Sequence, residues 1–181
     1  MFKFTFLNIF LSVFLIPLMM QCDNRGENPC DQYTNVLNEQ DLILISPTKQ
    51  SYTQGETIKL KFSVPSKMKV SSKDIDIFQT TKQSSGILRI YLSELFQDNT
   101  VNFVKGKKID DFSSSPVYNS ITDSYELEVD IILNKKGIYS FDSLATFQDR
   151  EFEDGQCVFI QIITSIKGNN ISDNRFEFVV T

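Results

Sequence analysis

Tyr125-Glu126-Leu127-Glu128-Val129-Asp130-Ile131-Ile132-Leu133 is the stretch whose pattern decides the fold. Side chains of a strand point to opposite faces at every step, so alternation of apolar and charged residues marks a half-buried strand. Tyr125, Leu127, Val129, Ile131 and Leu133 fall on one face and Glu126, Glu128 and Asp130 on the other. Earlier in the chain, Ile58, Leu60, Phe62 and Val64 alternate with Lys59, Lys61 and Ser63 in the same way, and Pro65 ends the run.

Shorter runs surround this pair. Leu42 to Ile45 is apolar and stopped by Pro47. Asp74 to Phe78 alternates with Ile75 and Ile77 inward, and Ile87 to Leu95 has Leu88, Ile90 and Leu92 on one face, although Ser93–Phe96 would equally suit one helical turn. Val101–Val104 suits an edge strand, whereas Lys105–Ser124 carries turn signals at Gly106, Asp110-Asp111, Ser113 to Ser115 and Pro116, and reads as a surface excursion. After the Asn134-Lys135-Lys136-Gly137 turn, Tyr139 and Phe141 lead a strand towards Phe147. An acidic loop, Asp149 to Gly155, separates it from the run holding Val158, Ile160 and Ile162. The turn Lys167-Gly168-Asn169-Asn170 precedes Phe176, Phe178 and Val180. Short strands at regular spacing, without a sustained helical period, predict an all-β domain over residues 41–181: an antiparallel sandwich of about seven to nine strands. Composition agrees, with a single alanine (Ala145) and 16 phenylalanines, since Ala favours helices and Phe favours sheets.

Leu133-Asn134-Lys135-Lys136-Gly137-Ile138-Tyr139-Ser140-Phe141 resembles the approach to a late strand of immunoglobulin-like domains. There a Gly-x-Tyr puts a tyrosine at a corner, and its hydroxyl bonds the backbone. Pro47 followed by Tyr52, Gly55, Ile58 and Leu60 resembles the first hairpin of bacterial members of that class. The resemblance implies an immunoglobulin-like β-sandwich and carries no functional residue over. Phe141 stands where antibody domains carry cysteine, and the chain has no tryptophan.

The other end of the chain speaks to location. Lys3 precedes an apolar run from Phe4 to Met20, broken only by Thr5, Asn8, Ser12 and Pro17, and Gln21-Cys22 follows. A basic start, an apolar stretch and a terminal cysteine predict an export signal over residues 1–21 with lipid attachment at Cys22. A retained membrane anchor would want about 20 uninterrupted apolar residues, and simple cleavage would leave the thiol free. Leu18-Met19-Met20-Gln21-Cys22 resembles bacterial lipoprotein signals, and Asp23 with Glu27 resembles the acidic residues that direct some Bacteroidota envelope lipoproteins outward. The resemblance implies a cell-envelope protein held by acyl chains to the outer membrane, facing the periplasm or the exterior. Residues 22–40 are polar and read as a tether.

If Cys22 is acylated, Cys30 and Cys157 remain as an even pair suited to a disulfide in an oxidising compartment. The other reading is two separate thiols with Cys157 buried.

The chemistry open to the chain is narrow. With no histidine, serine and cysteine triads lack their base and transition metals lose their commonest ligand. The seven glycines are isolated, so no phosphate-cradling loop is present. A formal charge of −5 over 181 residues disfavours nucleic acid. No catalytic residue, metal ligand or cofactor is expected. Calcium on Asp149, Glu151, Glu153 and Asp154, or on Asp110 and Asp111, lacks the spacing of a calcium loop. The sequon Asn170-Ile171-Ser172 carries no weight in a chain with a bacterial leader. The expected function is therefore a non-enzymatic, membrane-anchored protein-binding or spacer module. The rivals are a glycan-binding lipoprotein using Tyr91, Phe112 and Tyr118, and a carboxylate-dependent hydrolase.

Mass spectrometry of the membrane fraction is expected to find an N-terminus at acylated Cys22. Cys22→Ser should release the chain from the membrane, and an unprocessed Met1 terminus would contradict this.

Overall fold

The computed structural model describes residues 34–70, 73–153, 156–168 and 171–181. In chain order the strands and helices are β1 (Thr34–Asn38), β2 (Ile43–Ser46), β3 (Ser51–Tyr52), β4 (Thr57–Pro65), β5 (Lys67–Val70), β6 (Lys73–Asp76), α1 (Ile77–Thr81), β7 (Ile87–Ile90), α2 (Ser93–Gln97), β8 (Thr100–Lys105), β9 (Lys107–Lys108), β10 (Ser113–Ser115), β11 (Val117–Asn119), β12 (Ser124–Ile132), β13 (Gly137–Asp142), β14 (Leu144–Glu153), β15 (Gln156–Lys167), β16 (Ile171–Ser172) and β17 (Arg175–Val180). Among the described residues the protein is all-β apart from these two helices of five residues each. Seventeen strands are described, more than the seven to nine expected; five of them are two- or three-residue pieces, and β1 precedes the expected start of the domain at residue 41.

β12 and β4 pair antiparallel along their whole length, from Ser124 opposite Pro65 to Ile132 opposite Thr57. Tyr125 meets Val64, Leu127 meets Phe62, Val129 meets Leu60 and Ile131 meets Ile58, and all eight side chains are buried. Opposed apolar pairs on one face are what stabilise a sheet. The alternation in the sequence thus translates directly into register.

Two sheets and a small hairpin result. The large sheet runs β11-β12-β4-β2-β15-β14-β7-β10-β9, with β8 also on β12 and β1 also on β15. The small sheet runs β13-β17-β16, with β3 also on β17, and β5 pairs with β6 alone. The expectation of a purely antiparallel sandwich is corrected here: β1 and β2 lie parallel to β15, and β3 lies parallel to β17. The cause is that the chain changes sheets instead of closing each hairpin, a known way of making sandwich corners. β2 belongs to the large sheet and β3 to the small one. Likewise β13 belongs to the small sheet and β14 to the large one, with buried Ser143 at the corner. Both its N–H and its hydroxyl donate to the Asn174 carbonyl (2.8 and 2.7 Å), and its own carbonyl accepts from Ile166 N–H at 2.8 Å.

Other segments differ from their sequence reading for identifiable reasons. Thr34–Asn38, within the polar tether, forms β1 because β15 offers a long edge, and Leu37 is buried there. Ile77 and Phe78 open α1 and do not extend β6, since the Asp76 carboxylate accepts from Gln79 N–H at 3.0 Å, the bond of an N-cap. The excursion Lys105–Ser124 holds β9, β10 and β11, and all three residues of β10 are buried. Gly106 allows that return: its φ is +79°, and a Cβ there would lie 2.5 Å from the Ser115 carbonyl oxygen.

The core is continuous between the sheets. Phe147 is fully buried and packs on Phe62 and Tyr125, with ring centroids 5.5 and 5.3 Å apart. Phe147→Ala is expected to lower unfolding free energy by about 3–5 kcal/mol, read as a fall in the urea midpoint. A loss under 1 kcal/mol would show this contact to be peripheral.

Candidate functional site

The site assembles around the turn between β12 and β13. Gly137 has φ +150°, a conformation L side chains rarely adopt, and it starts β13 directly after Lys136. Two residues on, the Tyr139 hydroxyl donates to the Lys135 carbonyl at 3.0 Å, the corner bond expected of this tyrosine. Asn99 ties the same turn to α2. Its amide nitrogen donates to the Leu95 carbonyl (2.8 Å) and the Tyr139 hydroxyl (3.1 Å), and its oxygen accepts from Asn134 N–H at 2.7 Å. Lys135 adds an ion pair to Asp98 at 2.9 Å. These bonds hold α2 alongside β13 at a fixed distance.

β13 is the last strand of its sheet, and among the described residues it pairs only with β17. The direction of its backbone groups follows from its neighbour. Val179 and Thr181 donate their N–H groups to the Gln50 and Tyr52 carbonyls (3.0 and 2.9 Å), on the β3 side. Successive residues turn these groups to alternate sides, so Phe176, Phe178 and Val180 bond to Phe141, Tyr139 and Gly137. Ile138, Ser140 and Asp142 therefore turn their N–H and C=O groups to the free edge. One of these carbonyls is occupied: Arg175 reaches across β13, its Nη2 donating to Ser140 O at 2.6 Å and its Nε to Ser140 Oγ at 2.9 Å.

A groove runs along this edge. One hollow of about 200 Å³ lies between Tyr91, Glu94 and Leu95 on one wall and Ser140, Asp142 and Arg175 on the other. A second of about 410 Å³ continues past Glu94 and Asp98 to Lys136 and Ile138. Tyr91 is 63% exposed at the first and touches exposed Phe112, with ring centroids 5.6 Å apart and planes tilted by 53°. Ile138 is 69% exposed, directly opposite Val179, which is also exposed.

Apart from Tyr91, Phe112 and Tyr139, the residues singled out from sequence lie elsewhere. Glu126, Glu128 and Asp130 are half-buried by cross-strand lysines: Glu126 pairs with Lys105 at 2.6 Å, Glu128 with Lys61 at 3.4 Å and Asp130 with Lys59 at 3.0 Å. The acidic loop is mostly strand, for β14 runs to Glu153 and β15 starts at Gln156. Within it Asp149 is buried and accepts from the Thr81 hydroxyl at 3.0 Å. Burial, then the nearby Asp149 carboxylate, pushes the Tyr125 phenol well above its ordinary range, so it stays a neutral donor to the Gln83 carbonyl (2.8 Å). Asp110 accepts from Phe112 N–H and Asp111 pairs with Lys108, both at loop distances. No group of three or more metal-ligating side chains occurs among the described residues. Tyr118 stacks on Phe78, centroids 4.0 Å apart, and so is not available as a sugar platform.

Cys22 and Cys30 lie outside the described residues. Cys157 lies in β15 opposite Phe152. No helix among the described residues is long and apolar enough to cross a membrane. The role of Asn99 was missed from sequence, since its three partners are distant in the chain or carried by backbone. The free edge of β13 was missed because it depends on which strands fail to meet it.

No protein-family model and no curated protein matches the chain. Among solved structures, a family 123 glycoside hydrolase from Clostridium perfringens, described for glycolipid glycan hydrolysis, aligns over 74% of this chain and 23% of its own, at 10% identity and a TM-score of 0.19. The chain thus spans less than a quarter of that protein, and a likeness at this TM-score supports neither fold nor activity.

Glu126 gives the clearest pH dependence. Bonds from Lys105, then Thr122 and Asn119, hold its carboxyl down to about 2 from an ordinary 4.5. A depressed carboxyl stabilises the fold fully above its unfolded value and loses that contribution as pH falls through its folded value. The urea midpoint should therefore fall between pH 4.5 and 2, and Glu126→Gln should flatten part of that fall. An unchanged slope in the variant would contradict this.

Proposed function

We propose that the protein is a non-enzymatic, membrane-anchored envelope lipoprotein that binds another envelope protein through the edge of β13 and the sheet face beside it. The observation that carries this reading is the unpaired edge at Ile138, Ser140 and Asp142, set beside a groove and next to the exposed pair Ile138 and Val179. Exposed apolar groups beside unpaired backbone mark an interaction surface. Anchoring through Cys22, export by residues 1–21, a Cys30–Cys157 bridge and an outer-membrane location belong to the same proposal. Each rests on the sequence alone.

The finer architecture is an immunoglobulin-like sandwich whose first strands pass from one sheet to the other. The Tyr139 corner bond and the antiparallel β13–β17 pair support that assignment.

Glycan binding is the second reading, supported by exposed Tyr91 beside Phe112. Their tilt gives no flat platform, which places it behind protein binding. For a hydrolase, the strand carboxylates that could serve as an acid–base pair are bonded to lysines on a sheet face.

A photocrosslinking residue placed at Ile138 in living cells should capture an envelope protein. The same group at Ile121, 94% exposed on a distant turn, should capture none. Equal labelling from both positions would remove the basis for this surface.

A further inference from the structure

We propose that the free edge of β13 receives an extended segment of a partner protein as an added strand, with its side chains read by the groove against α2. This rests on the binding reading above and specifies its mode. Strand addition needs unpaired donors and acceptors in a row and pockets for alternate side chains. The N–H groups of Ile138, Ser140 and Asp142 and the carbonyls of Ile138 and Asp142 provide the row, since every second residue of β13 is turned away from β17. The six residues of β13 span roughly 20 Å, enough for a short segment to register.

The charges say what such a segment carries. Arg175 lies over Ser140 at the edge, with Glu177 across from Ser140 on β17 and Asp142 and Glu94 lining the same hollow. A single acidic residue opposite Ser140 would therefore take the guanidinium, and further acids would be repelled. Opposite exposed Ile138 the segment would present an apolar side chain, because cross-strand apolar pairs stabilise and a charge there would lose its water. The residue between these two points to the other face, into the hollow walled by Tyr91 and Leu95. The partner is thus an extended peptide with an acidic residue two positions from an apolar one and a large apolar side chain between them. At about 200 Å³ that hollow is smaller than pockets enclosing whole small ligands, about 300–1,000 Å³, and suits a single side chain. When the segment docks, Arg175 must exchange Ser140 O for the incoming carboxylate, which selects against neutral strands.

The test uses the full acylated chain in detergent and a synthetic seven-residue peptide with Glu and Val on one face and Phe between them. Titration should show saturable binding, and the amides of Ile138, Ser140 and Asp142 should become protected from hydrogen exchange. N-methylating the peptide at the residues whose N–H faces β13 should weaken binding at least tenfold. Methylating the alternate residues should leave it within about twofold, where one lost hydrogen bond is worth about a factor of ten. Ser140→Pro removes an edge N–H outside the β13–β17 ladder and should abolish binding. Should that variant fold poorly, Arg175→Glu should weaken the Glu peptide and favour a Lys peptide. Binding insensitive to either methylation, no binding at millimolar peptide, or sedimentation showing two copies joined at β13 would each overturn the proposal. So would a saccharide that binds the groove in a Tyr91-dependent way while the peptide does not. A capture from Ile138 in cells with a failed peptide titration would leave the binding surface standing and remove strand addition as its mode.

Discussion

The register between β12 and β4 is the constraint on which the rest of the structure depends. Sliding one strand by a single residue would turn Leu127, Val129 and Ile131 to water and bring Glu126, Glu128 and Asp130 inside. Burying an unpaired carboxylate costs far more than burying an alkyl side chain returns. The register is therefore fixed by both faces at once: apolar pairs within, and lysine–carboxylate pairs without. Because Leu133 leaves β12 at a set height, the following turn, Tyr139 and β13 are placed too.

Local alternation was legible in the sequence, and long-range choice was not. Ile58 to Val64 and Tyr125 to Leu133 were read correctly because a side-chain period of two needs only neighbours to declare itself. The helical turn at Ser93 was one of two readings of its run, and the corner at Tyr139 was implied by the resemblance to immunoglobulin-like domains and not by any period. Thr34–Asn38 read as tether because its composition is polar, yet an edge strand can be recruited by a neighbour that lacks a partner. Asp149 read as a loop residue because it leads an acidic run, whereas Thr81 and the strand β14 keep it in the interior. Helix α1 was signalled by Asp76 and Gln79 at capping spacing, a pattern hidden by the alternation that runs into it. The candidate site was least legible of all. An unpaired edge is a property of the whole arrangement, and Ser143, where β13 parts from β14, carries no mark in the sequence beyond being small and polar.

The electrostatics divide the surface into two kinds. Across β12 the charges are matched rung by rung, which leaves little for a ligand to compete for, and exposed pairs of this sort contribute modestly. Along β13 the charges are not matched in the same way. Arg175 is engaged with neutral oxygen, and Glu94 and Asp142 line the opposite walls of one hollow. Uneven pairing beside unfilled backbone is where a partner gains most.

The long β14–β15 hairpin also determines how the molecule would stand. The chain enters β1 at Thr34, opposite Phe159 and close to the hairpin's tip, whereas β13 joins at its base beside Leu144. Thr34 lies level with Arg150, six residues along β14 from Leu144, which puts roughly 20 Å between those two points. If the chain is fastened ahead of Thr34 as proposed, the groove is held out beyond the first strand like a hand on a forearm.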